Sequence, residues 1–285
     1  MKKSGRFRRF TNTNPVVKPL KWWAAKVYFD RFLSDFINTT DKTEICVLGM
    51  RRTGNHAIIQ WMISLIPGSV FFCNDAVPEL PLHKAPIRKY IRKDYGGRYL
   101  LHSYEDKLPQ RVWSSSQATR TGGVSARYEV VLLRDPFNLF ASRYVWRDPQ
   151  GERFRNDEQY RRELVALWKT TAREFLEMEQ TDNPNRVAIN YNRWFAEEDY
   201  RKLLCHRLGL EQAEGEREHI GEFGGGSSFD GQDSSGQGST LEVLKRWHQV
   251  KDEPVFRSIF SDRELLDLSQ EIFGTIPGTD EWLNP

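Results

Sequence analysis

The sequence predicts an α/β fold built on a central, mainly parallel sheet that is flanked by helices. Apolar runs of strand length lie at residues 43–49, 128–133 and 186–191. A helix-like amphipathic segment follows each run. Strands that alternate with helices form a parallel sheet, because the helices serve as crossover connections. The length of 285 residues suits a single domain of this kind.

The first strand and helix are defined by the signals at their ends. The run TEICVLG stops at Gly49, and apolar residues at helical spacing extend from residue 55 to residue 66 before Pro67 and Gly68 end the helix. A basic, proline-broken stretch follows. Another strand is predicted at residues 98–102.

The helix after the strand at 128–133 has two start signals. Asp135 can cap the helix, and Pro136 suits its first turn. Further helices are predicted at residues 157–180, 194–207, 241–247 and 262–273.

The domain is predicted to span residues 43–285, and residues 1–42 precede it as a basic arm and an amphipathic helix. The arm lacks the apolar core of a signal peptide. The helix is predicted to pack on the domain rather than lie on a membrane, because Asp30 and Asp35 interrupt its basic face. Residues 221–240 are rich in Gly and Ser and are predicted to form either a flexible surface loop or a mobile lid.

The composition is that of a soluble globular protein, with 39% hydrophobic and 28% charged residues. The net charge of +3 is too small for a protein that coats nucleic acid, but it fits a basic cleft for a small anion. No segment has the apolar length of a membrane span. Cys46, Cys73 and Cys205 show neither a disulfide-scaffold pattern nor zinc-site spacing, so we expect a reducing cytoplasm.

The loop MRRTGN lies between the first strand and the first helix, where parallel-sheet proteins bind anions. The glycines of its G-x-x-x-x-G spacing let the backbone approach a ligand, while Arg51, Arg52 and Thr53 supply positive charge and a hydroxyl. Asn55 and His56 replace the Lys-Ser/Thr pair that holds terminal phosphates and magnesium in a triphosphate loop. Binding of ATP or GTP is therefore disfavoured.

The segment RTGN at residues 52–55 resembles the basic-Ser/Thr-Gly-polar loop of the sulfotransferases. In that family the loop binds the 5′-phosphosulfate of 3′-phosphoadenosine 5′-phosphosulfate (PAPS). A second match lies in VVLLRDPFNLFASRY, where Arg134 ends a strand and Ser142 follows eight residues later on a helix. This arrangement is similar to the family's 3′-phosphate site, in which an arginine and a serine grip the same phosphate.

Two further segments are similar to the family. His102 ends the predicted strand in YLLHSYEDKLP and resembles the strand-end histidine that deprotonates the acceptor, a role that suits a neutral imidazole. Tyr191, in VAINYNRW, would lie near the adenine. Other positions depart from the cytosolic small-molecule branch: Ala57 replaces a Trp that stacks on adenine, Leu100 replaces a lysine, and the C-terminal Arg-Lys-Gly motif is absent.

The resemblance implies a PAPS-dependent sulfotransferase with a P-loop-like architecture. It would move the sulfuryl group to a hydroxyl or amine of a natural product or carbohydrate, release 3′-phosphoadenosine 5′-phosphate and require no metal and no nucleic acid. Catalysis is assigned to His102 and Arg52. Cofactor binding is assigned to Arg51, Arg52, Thr53, Gly54, Asn55, His56, Arg134, Ser142 and Tyr191.

Two other functions fit the same residues. One is an ATP-dependent kinase with a degenerate phosphate loop, which magnesium-dependent ATP binding would support. The other is a non-catalytic module that binds a nucleotide or a sulfated ligand, which cofactor binding without transfer would support.

Overall fold

The computed structural model describes residues 42–92, 97–118, 124–210 and 243–283, and the single position 31. The predicted N-terminal arm and amphipathic helix lie outside these ranges, apart from that one position. The predicted loop or lid at residues 221–240 also lies outside them.

A six-stranded sheet with the order β3-β2-β4-β1-β5-β6 forms the centre of the fold. All neighbouring strands run parallel except β3, which pairs with β2 in the antiparallel sense at one edge. The mainly parallel sheet that the sequence predicts is therefore confirmed. The strands are β1 Thr43–Gly49, β2 Ser69–Asn74, β3 Ile87–Ile91, β4 Arg98–Glu105, β5 Ala126–Leu133 and β6 Arg186–Asn190.

Helices follow most of the strands, and the helix after β5 begins with the cap that the sequence predicts. Asp135 accepts a hydrogen bond from the backbone N–H of Asn138 at 2.8 Å, and Pro136 lies in the first turn. The helices are α1 Asn55–Leu65, α2 Pro109–Ala118, α3 Pro136–Tyr144, α4 Pro149–Asn156, α5 Glu158–Gln180, α6 Tyr191–Ala196, α7 Glu198–Arg207, α8 Pro254–Ile259, α9 Arg263–Phe273 and α10 Asp280–Leu283.

Three details differ from the sequence prediction. The helix predicted at 194–207 is divided into α6 and α7, because Glu197 has an extended backbone between them. The described part of the segment at 241–247 forms a turn and the start of the short 3-10 helix Arg246–Gln249, rather than an α-helix. Strands β2 and β3 were not predicted.

The strands alternate their side chains between two apolar layers. Ile45 and Val47 of β1 face the layer that contains α1, α6 and α7. Cys46 and Leu48 face the opposite layer, which contains α2 to α5 and the C-terminal helices. Helices thus cover both faces of the sheet, which leaves the ends of the strands as the place for functional side chains.

The carboxyl edge of the sheet carries unusual backbone conformations. Among the described residues that are not glycine, a positive φ occurs only at Arg52 (75°), Asp75 (49°) and Asp106 (54°). These residues lie in the loops that follow β1, β2 and β4, which are neighbours in the sheet. Residues in sparsely populated conformations are concentrated at functional sites, so this edge is the first place to look for one.

The described helices include none that is long and apolar enough to cross a bilayer. Across the same residues, no group of His, Cys, Asp and Glu side chains is arranged to hold a metal ion. Cys46, Cys73 and Cys205 are free and buried.

Candidate active site

The loop after β1 wraps around the amino terminus of α1. The backbone N–H of Thr53 donates to the carbonyl of Met50 at 3.1 Å, and Gly54 caps the helix with φ 97°. A Cβ at Gly54 would overlap the ring of Tyr191, so only glycine fits. The loop therefore places unbonded helix N–H groups and their partial positive charge at the carboxyl edge of the sheet.

Arg52 joins the two predicted anion motifs. Its Nε donates to the hydroxyl of Ser142 at 3.0 Å, although the residues lie 90 positions apart. Its guanidinium lies over the Trp146 ring, 5.2 Å from the ring centroid. Burial and the nearby charges of Arg134 and Arg143 lower the pKa of Arg52 to about 10. The guanidinium still carries its charge at neutral pH, and a bound anion would stabilise it.

Arg134 lies directly beside Arg52 and is only 2% exposed. One of its terminal nitrogens donates to the carbonyl of Arg52 at 3.1 Å, and the other donates to the carbonyl of Val243. Its guanidinium lies over the Tyr191 ring, 5.0 Å from the ring centroid. Within the described part of the chain no carboxylate pairs with Arg134. A buried charge without a counter-ion is costly, so this place favours an anionic ligand.

The hydroxyl of Thr53 is also suited to a ligand. Thr53 is 1% exposed, and its Oγ1 makes no hydrogen bond to any residue that the structure describes. A buried hydroxyl without a partner is rare and marks a place where a polar ligand atom can bind. The structure therefore brings together Arg52, Thr53, Gly54, Arg134, Ser142 and Tyr191.

Arg51 lies apart from this group. Its guanidinium pairs with Asp75 at 2.5 Å and approaches Glu105 at 3.4 Å. Its backbone N–H donates to Asp106 Oδ1 at 3.0 Å. The predicted contact between Arg51 and the cofactor remains a prediction. The bonds of the Arg51 side chain to carboxylates do not favour that contact.

Asn55 ties the loop to β4. Its amide nitrogen donates to the Met50 carbonyl at 3.0 Å and to Glu105 Oε1 at 2.9 Å. A Cβ at Gly49 would overlap the Asn55 amide, so the first glycine of the loop is needed for this arrangement. The asparagine side chain thus positions the loop from within.

His56 follows Asn55 in the first turn of α1. Burial and the charge of Arg52 lower the pKa of His56 to about 4. The imidazole is therefore neutral at physiological pH and offers a polar ring, not a charge, to a ligand.

The structure places His102 away from the anion site. The prediction that it ends its strand is wrong, because β4 continues to Glu105. His102 is fully buried, pairs in register with Cys46, and its Nε2 lies 2.7 Å from Oε1 of Glu44. Polar residues at the end of β4 concealed its length, since an apolar run is the main sign of a buried strand.

Sequence reasoning missed three residues of the site, namely Glu105, Asp106 and Arg143. Glu105 is 7% exposed, and Arg143, 2% exposed, bonds to Asp106. Burial, with the charges of Asp75 and Asp106, raises the pKa of Glu105 against the opposing effects of Asn55 and Arg51. A usable signal was the acidic pair Glu-Asp between His102 and the start of α2.

Comparison with known proteins adds information at the level of structure. No protein-family model matches the sequence, and no curated protein matches it. The sulfotransferase domain of the Synechococcus PCC 7002 olefin synthase is similar with a TM-score of 0.50 and 10% identity, over 84% of this chain and 98% of that domain. The crystal structure of mouse sulfotransferase SULT7A1 complexed with PAP matches over 62% of this chain and 63% of the mouse chain, with 9% identity and a TM-score of 0.38.

The likeness to the cyanobacterial domain covers nearly all of that domain, although 10% sequence identity is very low. It agrees with the six-stranded, mainly parallel sheet and with helices on both of its faces. The architecture predicted from the two sequence motifs is therefore confirmed: this chain has the fold of the sulfotransferases.

Proposed function

We propose that the protein is a PAPS-dependent sulfotransferase that transfers a sulfuryl group to a hydroxyl or amine of a small-molecule or carbohydrate acceptor. The observation that carries this proposal is the hydrogen bond from Arg52 to Ser142, with Arg134 bonded to the Arg52 carbonyl. Two motifs that were recognised separately in the sequence form one cationic surface. A donor with phosphate groups at both ends of a nucleoside suits such a surface.

Different residues would bind the two ends of the donor. Arg134 and Ser142 would bind the 3′-phosphate, while Arg52, Thr53 and the N–H groups at the start of α1 would bind the 5′-phosphosulfate. Gly54 leaves space for the ring of Tyr191, which also lies against Arg134 and would border the nucleoside. When bound, PAPS supplies an activated sulfuryl group.

Arg52 has the main electrostatic role in this proposal. Its guanidinium is held by Ser142 and by the face of Trp146, so it is positioned before the reaction begins. A fixed positive charge in a partly buried site stabilises the negative charge that develops on the leaving phosphate. A guanidinium that is already positioned needs no reorganisation as this charge develops.

We expect the reaction to take place in the cytoplasm, on a soluble small molecule or a glycan precursor. The three cysteines are free and buried, as is common in a reducing compartment. The acidic and basic side chains around the loop would accommodate polar acceptors.

The test begins with donor binding. Calorimetry of the purified chain should show binding of 3′,5′-diphosphoadenosine without magnesium, and sulfate from labelled PAPS should appear in at least one compound of a metabolite extract. Magnesium-dependent ATP binding with no affinity for the diphosphoadenosine would instead support a kinase. Binding of the diphosphoadenosine with no transfer to any acceptor, including water, would support a non-catalytic module.

A further inference from the structure

We propose that Glu105 accepts the proton of the acceptor during sulfuryl transfer. This inference rests on the proposed function, because a proton acceptor is needed only if transfer occurs. It replaces the role that the sequence predicts for His102, whose ring is bonded to Glu44 inside the sheet.

The position of Glu105 fits this role. It is the last residue of β4 and pairs in register with Gly49, the last residue of β1. The anion-binding loop begins directly after Gly49, so the carboxylate lies next to the place where that loop starts. His102 pairs with Cys46 instead, three residues earlier along β1. Since side chains alternate along a strand, Glu105 and His102 also project to opposite faces of the sheet.

Neighbouring side chains hold the Glu105 carboxylate in a fixed orientation. Its Oε1 accepts from the Asn55 amide at 2.9 Å, and the same amide nitrogen donates to the Met50 carbonyl. Its Oε2 lies 3.4 Å from Nε of Arg51. One oxygen is thus bonded to a neutral donor, and the other makes a longer ionic contact, which leaves lone pairs for a proton.

The other titratable groups at this edge are less suited to the task. Asp106 is bonded to Arg143 and to the backbone N–H of Arg51. Asp75 is paired with the Arg51 guanidinium at 2.5 Å. These bonds occupy the lone pairs of the two carboxylates and leave fewer of them for an acceptor proton. The low pKa of His56, about 4, makes its imidazole a weak base as well.

The charge balance of the step is complete within the proposed reaction. The acceptor oxygen or nitrogen forms a bond to sulfur, the bond from sulfur to the phosphate oxygen breaks, and its electron pair remains on the departing phosphate. The acceptor proton moves to the Glu105 carboxylate and is later released to solvent. Arg52 stabilises the charge on the phosphate, while Glu105 removes the proton from the opposite partner.

The first experiment compares Glu105→Gln with the matched variant Glu79→Gln. The amide oxygen of the introduced glutamine would still accept the hydrogen bond from Asn55, whereas Glu79 is an exposed carboxylate paired with Arg111. We expect Glu105→Gln to lower kcat at least about 100-fold, the usual contribution of a general base, with unchanged affinity for 3′,5′-diphosphoadenosine. Glu79→Gln should retain wild-type turnover. The assay follows labelled sulfate from PAPS to an acceptor found in a metabolite extract, or to water.

The pH dependence separates a proton acceptor from a structural carboxylate. The charges that face Glu105 come from Arg51, Arg52, Asp75 and Asp106. Burial raises the pKa of Glu105, so wild-type kcat should fall on the acidic side as the carboxyl becomes protonated. Glu105→Asp should keep partial activity, and its kcat should also fall at acidic pH, but over a shifted pH range. In Glu105→Gln this fall of kcat should be absent.

The outcomes distinguish a failure of the proposed function from a failure of the role of Glu105 alone. A wild-type chain that neither binds the diphosphoadenosine nor transfers sulfate overturns the proposed function and the role of Glu105 with it. Transfer by the wild type together with near-normal kcat in Glu105→Gln overturns the role of Glu105 alone. Loss of donor affinity along with kcat in both Glu105 variants shows a structural carboxylate, which also overturns it.

Discussion

At the scale of single residues, Arg134 shows how the fold prepares a site for an anion. Its guanidinium is almost fully buried, yet the groups that bind it are the main-chain carbonyls of Arg52 and Val243. Carbonyl oxygens satisfy the N–H groups without neutralising the charge. The unneutralised charge is then available for an incoming phosphate.

Replacing Arg134 by Gln should weaken nucleotide binding selectively. Loss of one charge-assisted contact should lower the affinity for 3′,5′-diphosphoadenosine about 10- to 100-fold. Adenosine 5′-phosphosulfate, which has no 3′-phosphate, should be affected much less. Isothermal titration calorimetry with both ligands measures the difference. Arg173→Gln, at an exposed position paired with Glu264, is the matched control. Equal losses for the two ligands would contradict the assignment of Arg134 to the 3′-phosphate.

At the scale of elements, the loop between β1 and α1 is shaped by close contacts with its neighbours. Gly49 leaves space for the Asn55 amide, and Gly54 leaves space for the Tyr191 ring at the start of α6. The loop is thus fixed by packing from β4 through Asn55 and from α6 through Tyr191.

Gly54→Ala should destabilise the fold more than Gly274→Ala. Both glycines have a positive φ, but a Cβ at Gly274 meets no atom within 4 Å. Gly274→Ala therefore measures backbone strain without a new contact, about 1–3 kcal/mol at φ 67° and ψ −164°, while the left-handed backbone at Gly54 costs about 1–2 kcal/mol by itself. Gly54→Ala adds the overlap with Tyr191, for a further loss of about 1–3 kcal/mol. Urea unfolding monitored by Trp fluorescence gives both values, and equal losses would show that the Tyr191 ring moves aside freely.

The same elements show what could be predicted from the sequence. Strands β1, β5 and β6 are mainly apolar, so they were predicted. Asp135 and Pro136 mark the start of α3, which was predicted as well. Strand β3, IRKYI, lies at the sheet edge, has only five residues, and mixes apolar with basic side chains without a regular alternation. Strand β4 ends in Ser103, Tyr104 and Glu105, which is polar for a buried strand.

The candidate site, like the fold, was predicted only in part from the sequence. Arg52, Arg134 and Ser142 were predicted as anion-binding residues because the two segments that contain them resemble the phosphate-binding motifs of the sulfotransferases. The position of Glu105 depends on its register against Gly49, which is a contact between separate segments of the chain. A pattern within one segment cannot contain that information.

At the scale of the whole molecule, the two edges of the sheet carry different kinds of polar group. The carboxyl edge has the arginines of the anion site. Towards the amino edge, Glu44 bonds to His102 and lies 3.6 Å from the Arg127 guanidinium. The charges of Glu44 and Arg127 are paired inside the fold, which indicates a structural contribution rather than ligand binding.

Glu44→Gln should lower stability at neutral pH and have less effect in acid. Burial opposes ionisation of Glu44, but the bond with His102 and the charges of His102 and Arg127 outweigh it and lower its pKa below 4.5. A carboxyl with a lowered folded-state pKa stabilises the fold above its unfolded pKa, and that contribution is lost as the pH falls through the folded value.

The expected loss for Glu44→Gln at pH 7 is about 1–3 kcal/mol. The difference from wild type should shrink as the pH falls below the ordinary Glu pKa of about 4.3 towards the lowered pKa of Glu44. Urea unfolding at a series of pH values measures it, with the exposed Glu271→Gln as control. A difference that is constant over this range would show that the ionised state of Glu44 does not stabilise the fold.

The bond between Arg134 and the Val243 carbonyl has a practical consequence. Asn138 also donates to the Leu244 carbonyl at 3.1 Å, so residues 243 and 244 are bonded to side chains of the candidate anion site. Lys245 is exposed next to this attachment, and the three native cysteines are buried. A fluorophore on Lys245→Cys would therefore be site-specific, and its emission would report occupancy of the proposed nucleotide site without the need for an acceptor.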